Sequence, residues 1–398
     1  MNNLSIKYIF TSPSLKGSSV QTKVINQIKY LNKAGANCEG VFLSSEVSEI
    51  TPLNEFVNLI PVKKCKWKYF RSIGQKIILD KATHDYIQRY YLISDLLYFR
   101  FPGSSFLLYK ISKKFGKKII SEHQSKEYEE IKSLANNNLF GLKPSKFLSW
   151  FQYNFVPILN EKLFGRLFVK NIAGVVAVTK EIGEYQENKG AKEVIVIPNG
   201  ISVKSYDVKK NIGLKLPLKI IFLKGTSNNA PWNGLDRLID SIDNILNPHQ
   251  KIKLLICGHI ISGEIPERSY VEIVGYKNKL EIDQLLQDVH IGVSTLSLFK
   301  KELKEASTLK TREYIARGLP FFYAYNDPDL NEESKEFALE FPNDDSHIDM
   351  EKVIEFAKKA LEDQDLPQKM RKYAEDHLDY EVKMEKLYNQ LLKLKDEN

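Results

Sequence analysis

Short apolar segments alternate with longer amphipathic segments along this chain, and the whole alternation occurs twice. In the first half the apolar, strand-like segments are residues 6–11, 38–43, 96–100, 118–121, 174–179 and 194–197. In the second half they are residues 218–225, 251–258, 271–275 and 289–294. Strands that are apolar throughout are buried on both faces, as they are in parallel sheets covered by helices. The sequence therefore predicts an α/β protein with two doubly wound, Rossmann-like domains facing each other across a cleft.

The length of the chain agrees with this doubling, because 398 residues are too many for one ordinary hydrophobic core. We place the domain boundary at the turn 198–200, since a polar segment follows it. The predicted domains are residues 1–198 and residues 199–378. Residues 379–398 are expected to form a C-terminal helix that packs back on the N-terminal domain.

Charge and cysteine content limit the class of protein. Lys and Arg number 58 against 50 Asp and Glu, a net charge of +8, which is compatible with anionic partners without identifying one. The three cysteines, Cys38, Cys65 and Cys257, are far apart and form no Cys-x-x-Cys pair, which predicts a reducing cytosol and no structural zinc. The N-terminus lacks the order of a signal peptide, and no apolar run approaches the ~18 residues of a membrane span.

The segment 305–320 carries the clearest candidate site. It predicts a helix over residues 308–317, which begins at a hydroxyl cap and ends before Gly318. Lys310 and Glu313 would project from one face near the positively polarised end of this helix. A cation and a carboxylate in that position could bind the diphosphate and the ribose of a nucleotide. The alternative is a solvated surface helix with a salt bridge between the two side chains.

The N-terminal half has two weaker candidates. A loop of small residues that includes Gly17 lies between the first strand and the first helix, so its backbone N–H groups could bind a phosphate or a sugar. Gly17 could equally be a simple turn glycine, and no dinucleotide-binding or Walker-type motif is present. His123 follows the strand 118–121 and is predicted to contact a sugar hydroxyl or carry a proton, or else to be structural.

Two segments mix aromatic residues with cations. Residues 62–71 contain five cations and no acid, and could contact phosphates of nucleic acid or anionic lipid, or form a solvated loop. Residues 139–170 are rich in Phe, Trp and Tyr, and Glu161 is their single acid. Their cations are Lys143, Lys146, Lys162, Arg166 and Lys170. This mixture suits the water–lipid boundary, so we predict a membrane-surface segment; the alternative is an aromatic-rich internal core.

The order of these motifs resembles that of GT-B fold glycosyltransferases, especially the retaining glycosyltransferase family 4, over almost the whole chain. The most specific part is Glu305, seven residues, and then Glu313, which resembles the donor-site signature of enzymes that build capsular and other surface polysaccharides. Supporting motifs are Tyr98-Phe99-Arg100-Phe101-Pro102, Glu122-His123, Ala177-Val178-Thr179-Lys180, Ile197-Pro198-Asn199-Gly200 and Val274-Gly275-Tyr276.

The resemblance implies roles for particular residues. Glu305 would face the transferred sugar, Lys310 would bind the diphosphate, and His123 would lie beside the sugar, which makes these three the catalytic candidates. Glu313 would accept hydrogen bonds from the ribose. The other donor-binding candidates are Ser307, Thr308, Leu309, Gly17, Gly225, Thr226, Gly275 and Tyr276. The N-terminal domain would bind the acceptor and the C-terminal domain the nucleotide sugar.

One departure from the family pattern concerns the loop after the first strand of the C-terminal domain. Many members carry an arginine and a lysine there, whereas this chain has Thr226 and Asn233. The charge of the diphosphate would then be stabilised mainly by Lys310, with Lys224 or Arg312 as further candidates. The departure is either a subfamily variation, which we prefer, or a sign of lost activity.

The resulting hypothesis is a retaining glycosyltransferase that moves a sugar from a UDP- or GDP-sugar to a hydroxyl of a glycan or lipid-linked glycan. We expect no metal and no other cofactor, no nucleic-acid partner, and a cytoplasmic location, including the inner face of the cell membrane. One alternative is a catalytically inactive GT-B subunit that binds a nucleotide or a partner protein. A second alternative is a metal site at Asp327-Pro328-Asp329, although this segment also fits an ordinary turn.

Overall fold

The computed structural model describes residues 3–15, 19–46, 55–139, 144–224, 230–258, 265 and 267–397. The chain divides into two compact units. Unit 1 comprises residues 1–198 together with residues 380–398, and unit 2 comprises residues 199–379. Each unit contains one parallel sheet with helices on it, so the prediction of two doubly wound Rossmann-like domains is confirmed.

Unit 1 is built on a seven-stranded parallel sheet. Its elements in chain order are β1 (Ser5–Ser12), α1 (Ser19–Lys33), β2 (Asn37–Ser44), β3 (Val57–Pro61), α2 (Arg71–Tyr90), β4 (Leu96–Arg100), α3 (Phe106–Phe115), β5 (Ile119–His123), α4 (Glu127–Leu139), α5 (Pro144–Trp150), α6 (Val156–Asn160), α7 (Arg166–Asn171), β6 (Gly174–Ala177), α8 (Lys180–Lys189) and β7 (Val194–Val196). The strand order is β3-β2-β1-β4-β5-β6-β7, with all pairs parallel.

Helices α5, α6 and α7 follow one another without a break in helical conformation. Two π-helical turns, Phe151–Phe155 and Glu161–Gly165, join them. We call the whole of residues 144–171 the long helix. Most of the segment 139–170, which is predicted to contact a membrane surface, is therefore helical, although residues 140–143 lie outside the described part.

Unit 2 is built on a six-stranded parallel sheet with the order β10-β9-β8-β11-β12-β13. Its elements in chain order are β8 (Leu218–Leu223), α9 (Leu235–Asp243), α10 (Pro248–Lys251), β9 (Ile252–Cys257), β10 (Val271–Gly275), α11 (Lys279–Leu286), β11 (Ile291–Val293), α12 (Leu309–Arg317), β12 (Phe321–Tyr323), β13 (Ala338–Glu340), α13 (Met350–Glu362) and α14 (Leu366–His377). The last helix of the chain, α15 (Tyr380–Glu397), belongs to unit 1.

Apolar side chains cover both faces of the first sheet, as continuous apolar strands require. Along β1, Ile6 and Tyr8 point to the core beneath α1 and α15, whereas Ile9 points to the core beneath α2, α3 and α7. The last helix is held by the Tyr388 hydroxyl, which donates to the Gly35 carbonyl at 3.2 Å. Within the described residues, no helix has the length and apolar character needed to cross a membrane.

Candidate functional site

Helix α12 begins at the carboxyl edge of the second sheet, because it leads from the end of β11 to the start of β12. Thr308 caps it: its backbone is extended, and its hydroxyl accepts a hydrogen bond from the Thr311 N–H at 3.3 Å. The helix ends at Gly318, whose φ of 71° is left-handed. The helix predicted from the capping pattern is therefore confirmed, with its first turn at Leu309 rather than Thr308.

The alternative of a solvated surface helix is wrong. Tyr314, Ile315 and Ala316 have no exposed surface, so α12 is packed into unit 2 on most of its circumference. The predicted salt bridge between Lys310 and Glu313 is also absent from the described contacts. Glu313 instead accepts from Arg317 one turn further along, at 2.9 Å.

Lys310 is the second residue of α12. Its ammonium donates to the side-chain oxygen of Asn233 at 3.3 Å and lies 5.0 Å from the ring centre of Phe222. Burial lowers the pKa of Lys310 from 10.5 to about 8. Within the described part of the chain, no carboxylate lies within ion-pair distance of this group. A desolvated cation without a protein anion is suited to hold an anionic ligand.

Arg312 does not share this position, contrary to the expectation that it could help to bind a diphosphate. Its side chain is fully buried and donates to both Asp327 oxygens, to Asp329 at 2.6 Å and to the Asn199 carbonyl at 3.1 Å. The two aspartates considered as metal ligands are therefore partners of Arg312. Among the described residues, no group of three or more His, Cys, Asp or Glu side chains is arranged to hold a metal ion.

Four hydroxyl groups meet beneath the start of α12. They belong to Ser294, Thr308, Thr311 and Tyr325, and each oxygen lies 2.6 to 3.2 Å from the other three. Burial, followed by the charge of Asp327, raises the pKa of Tyr325 to about 12, so its hydroxyl remains protonated. Sequence reasoning did not predict this cluster. Ser294 and Tyr325 follow two neighbouring strands, and residues just past the carboxyl ends of parallel strands lie at one edge of the sheet, so their positions could have indicated it.

The segment before α12 is fixed by backbone contacts. Ser307 is buried, and its hydroxyl accepts from the Asn199 N–H at 2.7 Å. Glu305 forms a parallel bridge with Asn326, just beyond β12, and the neighbouring Ala306 N–H donates to the Asn326 carbonyl at 3.1 Å. The structure thus brings Glu305, Ser307, Thr308, Leu309 and Lys310 together at one edge of the sheet, with Glu313 one helical turn away.

The remaining donor-binding candidates divide into two groups. Gly275 ends β10 at the same edge of the sheet with a φ of 71°, and its carbonyl accepts from the Gly258 N–H at 2.9 Å. Tyr276 follows with 64% of its surface exposed. Gly17, Gly225 and Thr226 lie outside the described residues.

His123 lies in unit 1 and is the last residue of β5, rather than part of a following loop as predicted. It is fully buried, stacks on Phe101 with ring centres 4.4 Å apart, and its Nδ1 lies 2.5 Å from a Glu127 oxygen. Its Nε2 has no hydrogen-bond partner among the described residues. Burial would raise the pKa of Glu127, but the charges of His123 and Lys189 outweigh it and lower the pKa to about 2.

Glu122, the neighbour of His123, is the centre of a second buried network. Its carboxylate accepts from Lys23 at 2.6 Å, Gln27 at 2.8 Å and Tyr98 at 2.9 Å. Burial would raise the pKa of Glu122, but the charges of Lys23 and Arg100 lower it to about 2. Sequence reasoning did not assign these partners because they come from two other elements, α1 and β4, which lie far from Glu122 in the sequence.

Solved structures of the same fold are found among glycosyltransferases. Neither a protein-family model nor a curated protein matches the sequence. A glycosyltransferase from Rickettsia africae superposes with a TM-score of 0.60 at 15% identity, covering 99% of this chain and 100% of that one. HepE of Anabaena, in complex with UDP-glucose, gives 0.63 at 13% identity over 98% and 99%. Sucrose-phosphate synthase from Thermosynechococcus elongatus gives 0.65 at 14% identity over 98% and 100%. The chain therefore has the GT-B fold.

Proposed function

We propose that this protein is a retaining glycosyltransferase that uses a nucleotide sugar such as a UDP- or GDP-sugar. The observation that carries the proposal is the environment of Lys310, whose desolvated ammonium stands at the start of α12 without a carboxylate partner among the described residues. Helix N-termini attract phosphate groups through their free N–H groups and their dipole. Lys310 together with this helix start makes a site for a diphosphate.

The other groups of this edge have roles that follow from their chemistry. Glu313 is held by Arg317 and has a second oxygen with which to accept hydrogen bonds from the ribose hydroxyls. Glu305 is fixed beside the end of β12, where it would face the sugar. HepE, which shares the fold, was solved with UDP-glucose, and this supports a UDP-sugar as the first donor to test.

The proposed reaction retains the anomeric configuration by front-face attack. The acceptor hydroxyl attacks the anomeric carbon on the side of the leaving diphosphate, the bond from that carbon to the phosphate oxygen breaks, and the departing phosphate takes the proton of the hydroxyl. Lys310 and the helix start stabilise the negative charge that develops on the diphosphate. A single donor in such a position commonly contributes a factor of ~10²–10³ to kcat.

The acceptor is proposed to bind to unit 1 beside His123, and to be a glycan or lipid-linked glycan of surface polysaccharide assembly. His123 is held by Glu127, and its Nε2 is the nitrogen left for a ligand. WaaG, another protein of this fold, is described as a glycosyltransferase involved in lipopolysaccharide biosynthesis, which supports this class of acceptor. The proposal includes no metal and a location in the cytoplasm at the inner face of the cell membrane.

A second candidate function is a nucleotide-binding subunit without transferase activity. The observation that favours it is Asn233, a neutral side chain at a position where the resemblance to glycosyltransferase family 4 implies a cation. Such a subunit would bind the nucleotide sugar at the same edge of unit 2 but would neither hydrolyse nor transfer it.

Thermal unfolding in the presence of UDP, GDP and their sugars tests the proposed donor site, because a ligand that binds the folded state raises Tm. We expect one UDP- or GDP-sugar to raise Tm, and Lys310→Ala to abolish the shift. Lys359→Ala, at an exposed lysine of α13, is the control and should keep it. Turnover of that donor by the purified protein, in the presence of EDTA, then separates the transferase from the inactive subunit. No shift with any nucleotide would contradict both candidates.

A further inference from the structure

We propose that the long helix and residues 62–71 form one surface of unit 1 that binds an anionic lipid bilayer. This inference rests on the proposed function in one respect: it proposes the surface at which the glycosyltransferase would act. The two segments are far apart in sequence. Taken alone, residues 62–71 could be a solvated loop and residues 139–170 an internal core. In the structure they are joined: the Gln152 side chain donates to the Tyr69 carbonyl at 2.6 Å and accepts from the Ser72 N–H at 3.3 Å.

The long helix carries an apolar stripe along its outer face. The stripe consists of apolar residues at every fourth position: Phe147, Phe151, Phe155, Leu159, Leu163 and Leu167. Phe147 is 57% exposed and Leu163 52%, whereas side chains on the opposite face, such as Phe168 and Val169, are fully buried. At about 1.5 Å per residue the stripe is about 30 Å long. A contiguous exposed apolar surface of this length marks an interaction site.

The two π-helical turns explain how a strict four-residue spacing stays on one face. In an α-helix, positions four apart drift by about 40° around the axis, so such a stripe would wind away from its starting side. A π-helical turn is wider than an α-helical turn and rotates the chain by a smaller angle per residue, so it reduces that drift. The turns at Phe151–Phe155 and Glu161–Gly165 therefore keep the stripe on one side of the helix.

The exposed charges of the long helix itself have one sign. Lys162, Arg166 and Lys170 form an exposed row beside it, also four residues apart. The single acid of the long helix, Glu161, is buried on the other face, where it accepts from Lys189 and Ser104 at 2.6 Å each. Because no acid of the helix is left at the surface, the cations there are available to anionic headgroups.

Residues 62–71 extend this surface. Trp67 and Tyr69 are 55% and 60% exposed, and the segment adds five cations without an acid. Among the described residues, one of these cations, Lys64, is paired, with Glu46 at 2.9 Å. Exposed aromatic rings interleaved with lysines are suited to the headgroup region of a bilayer, where the ring is partly buried and the ammonium remains in water.

Helix α3 contacts the long helix and adds to this surface. The Phe106 ring is 49% exposed and lies 5.6 Å from the Phe164 ring of the long helix. Next to it, a cavity of about 580 Å³ lies between α2 and α3. The polar residues that line this cavity are Lys81, His84, Asp85, Lys110, Lys113 and Lys114. Four cations against one acid again favour an anionic partner.

Vesicle co-sedimentation of the full-length protein tests the proposal. We expect the protein to sediment with vesicles of phosphatidylcholine mixed with phosphatidylglycerol, and much less with phosphatidylcholine alone. Each cation near the surface commonly contributes about a factor of five to partitioning, so the triple variant K162Q/R166Q/K170Q should bind about a hundredfold more weakly. The matched control is K358Q/K359Q/K386Q, which removes three exposed lysines elsewhere and should bind like the unchanged protein.

The apolar stripe is tested separately by F155S/L163S, which should also lose vesicle binding. Its control is L246S/L280S, at two leucines of unit 2 that are 78% and 71% exposed. Equal sedimentation of the stripe variant and its control would overturn the proposal. Absence of sedimentation by the unchanged protein would overturn it too, and would point to a protein partner. Both stripe and cation variants should keep the nucleotide-sugar Tm shift, so failure of lipid binding and failure of the donor site are distinguishable.

Discussion

The ammonium group of Lys310 donates a hydrogen bond to the side-chain oxygen of Asn233, 3.3 Å away. This contact joins the first turn of α12 to the segment between β8 and α9. Because the Asn233 side chain is neutral, it does not compensate the positive charge of Lys310. In the proposed donor site, the ammonium of Lys310 and the neutral amide of Asn233 would together determine how strongly a diphosphate is bound.

Asn233→Asp should weaken nucleotide-sugar binding, because the new carboxylate pairs with Lys310 and repels the diphosphate. Losing a hydrogen bond to a charged group commonly costs ~1.5–3 kcal/mol, so we expect Kd to rise about tenfold or more. Isothermal titration with the donor identified by thermal shift measures this. Asn244→Asp, at an exposed asparagine of the same unit, is the control, and an equal Kd for both variants would refute the role of the contact.

Donor binding should weaken as the pH rises through about 8. Below the lowered pKa of Lys310 the ammonium is charged and can hold a phosphate; above it, the group has to take up a proton before binding. We expect Kd to rise between about pH 7 and about pH 9. Lys310→Arg, which stays charged over this range, should remove the dependence. A slope unchanged by this substitution would assign it to another group.

Glu313→Gln should raise the donor KM with little effect on kcat, because the ribose is bound similarly in the ground state and the transition state. We expect a rise of about tenfold, measured by steady-state kinetics with the donor varied. Glu333→Gln, at an exposed glutamate, should leave KM unchanged. A fall in kcat at unchanged KM would instead place Glu313 at the reacting sugar.

Arg312→Met should destabilise unit 2 strongly rather than affect donor binding directly. The substitution removes the guanidinium that pairs with the buried carboxylate of Asp327, and breaking a buried pair in this way commonly costs ~3–5 kcal/mol. Chemical denaturation measures the loss. Arg268→Met removes an exposed pair with Asp243 and should cause no comparable change. Full stability with lost donor binding would mean that Arg312 binds the diphosphate after all.

Glu122→Gln should destabilise unit 1 near neutral pH, because it leaves the buried Lys23 without its partner. The expected loss is ~3–5 kcal/mol. Because the folded pKa of Glu122 is lowered to about 2, its contribution is complete above about pH 4.5 and is lost as the pH falls through about 2. Denaturation curves at decreasing pH should therefore converge for the two proteins. Glu351→Gln, at an exposed glutamate, should show no such convergence, and a constant difference at all pH values would contradict the assignment.

Much of the fold could be predicted because its signals are local. Continuous apolar strands and amphipathic helices indicated both parallel sheets, and the cap at Thr308 with Gly318 indicated α12. The main elements that sequence reasoning did not predict were β3, α2, α4 and β13. The strands β3 and β13 are short and lie at the edges of their sheets. Helix α2 has neither an acidic first turn nor a side-chain cap, so the sequence contains no signal for where it begins.

The partners of charged side chains could not be predicted in the same way. Spacing allowed Glu313 to pair with Lys310, yet Arg317 is its partner, because Arg317 is buried against Asp283 and Tyr206 on that side of the helix. Likewise, the spacing of Asp327 and Asp329 suggested a metal site, whereas both carboxylates accept hydrogen bonds from Arg312. Each outcome depends on which side chains from other elements are desolvated together, and desolvation is a property of the packed structure.

The sequence by itself determined the two βα halves, the boundary near residue 198, and the helix that presents Lys310, because periodicity and capping depend on neighbouring residues in the chain. Only the tertiary structure decided that Lys310 faces the neutral Asn233, that Arg312 is buried between two aspartates, and that Gln152 joins the long helix to residues 62–71. These relationships connect residues from separate elements. The packing of those elements fixes their distances and removes their water, and no local pattern encodes either effect.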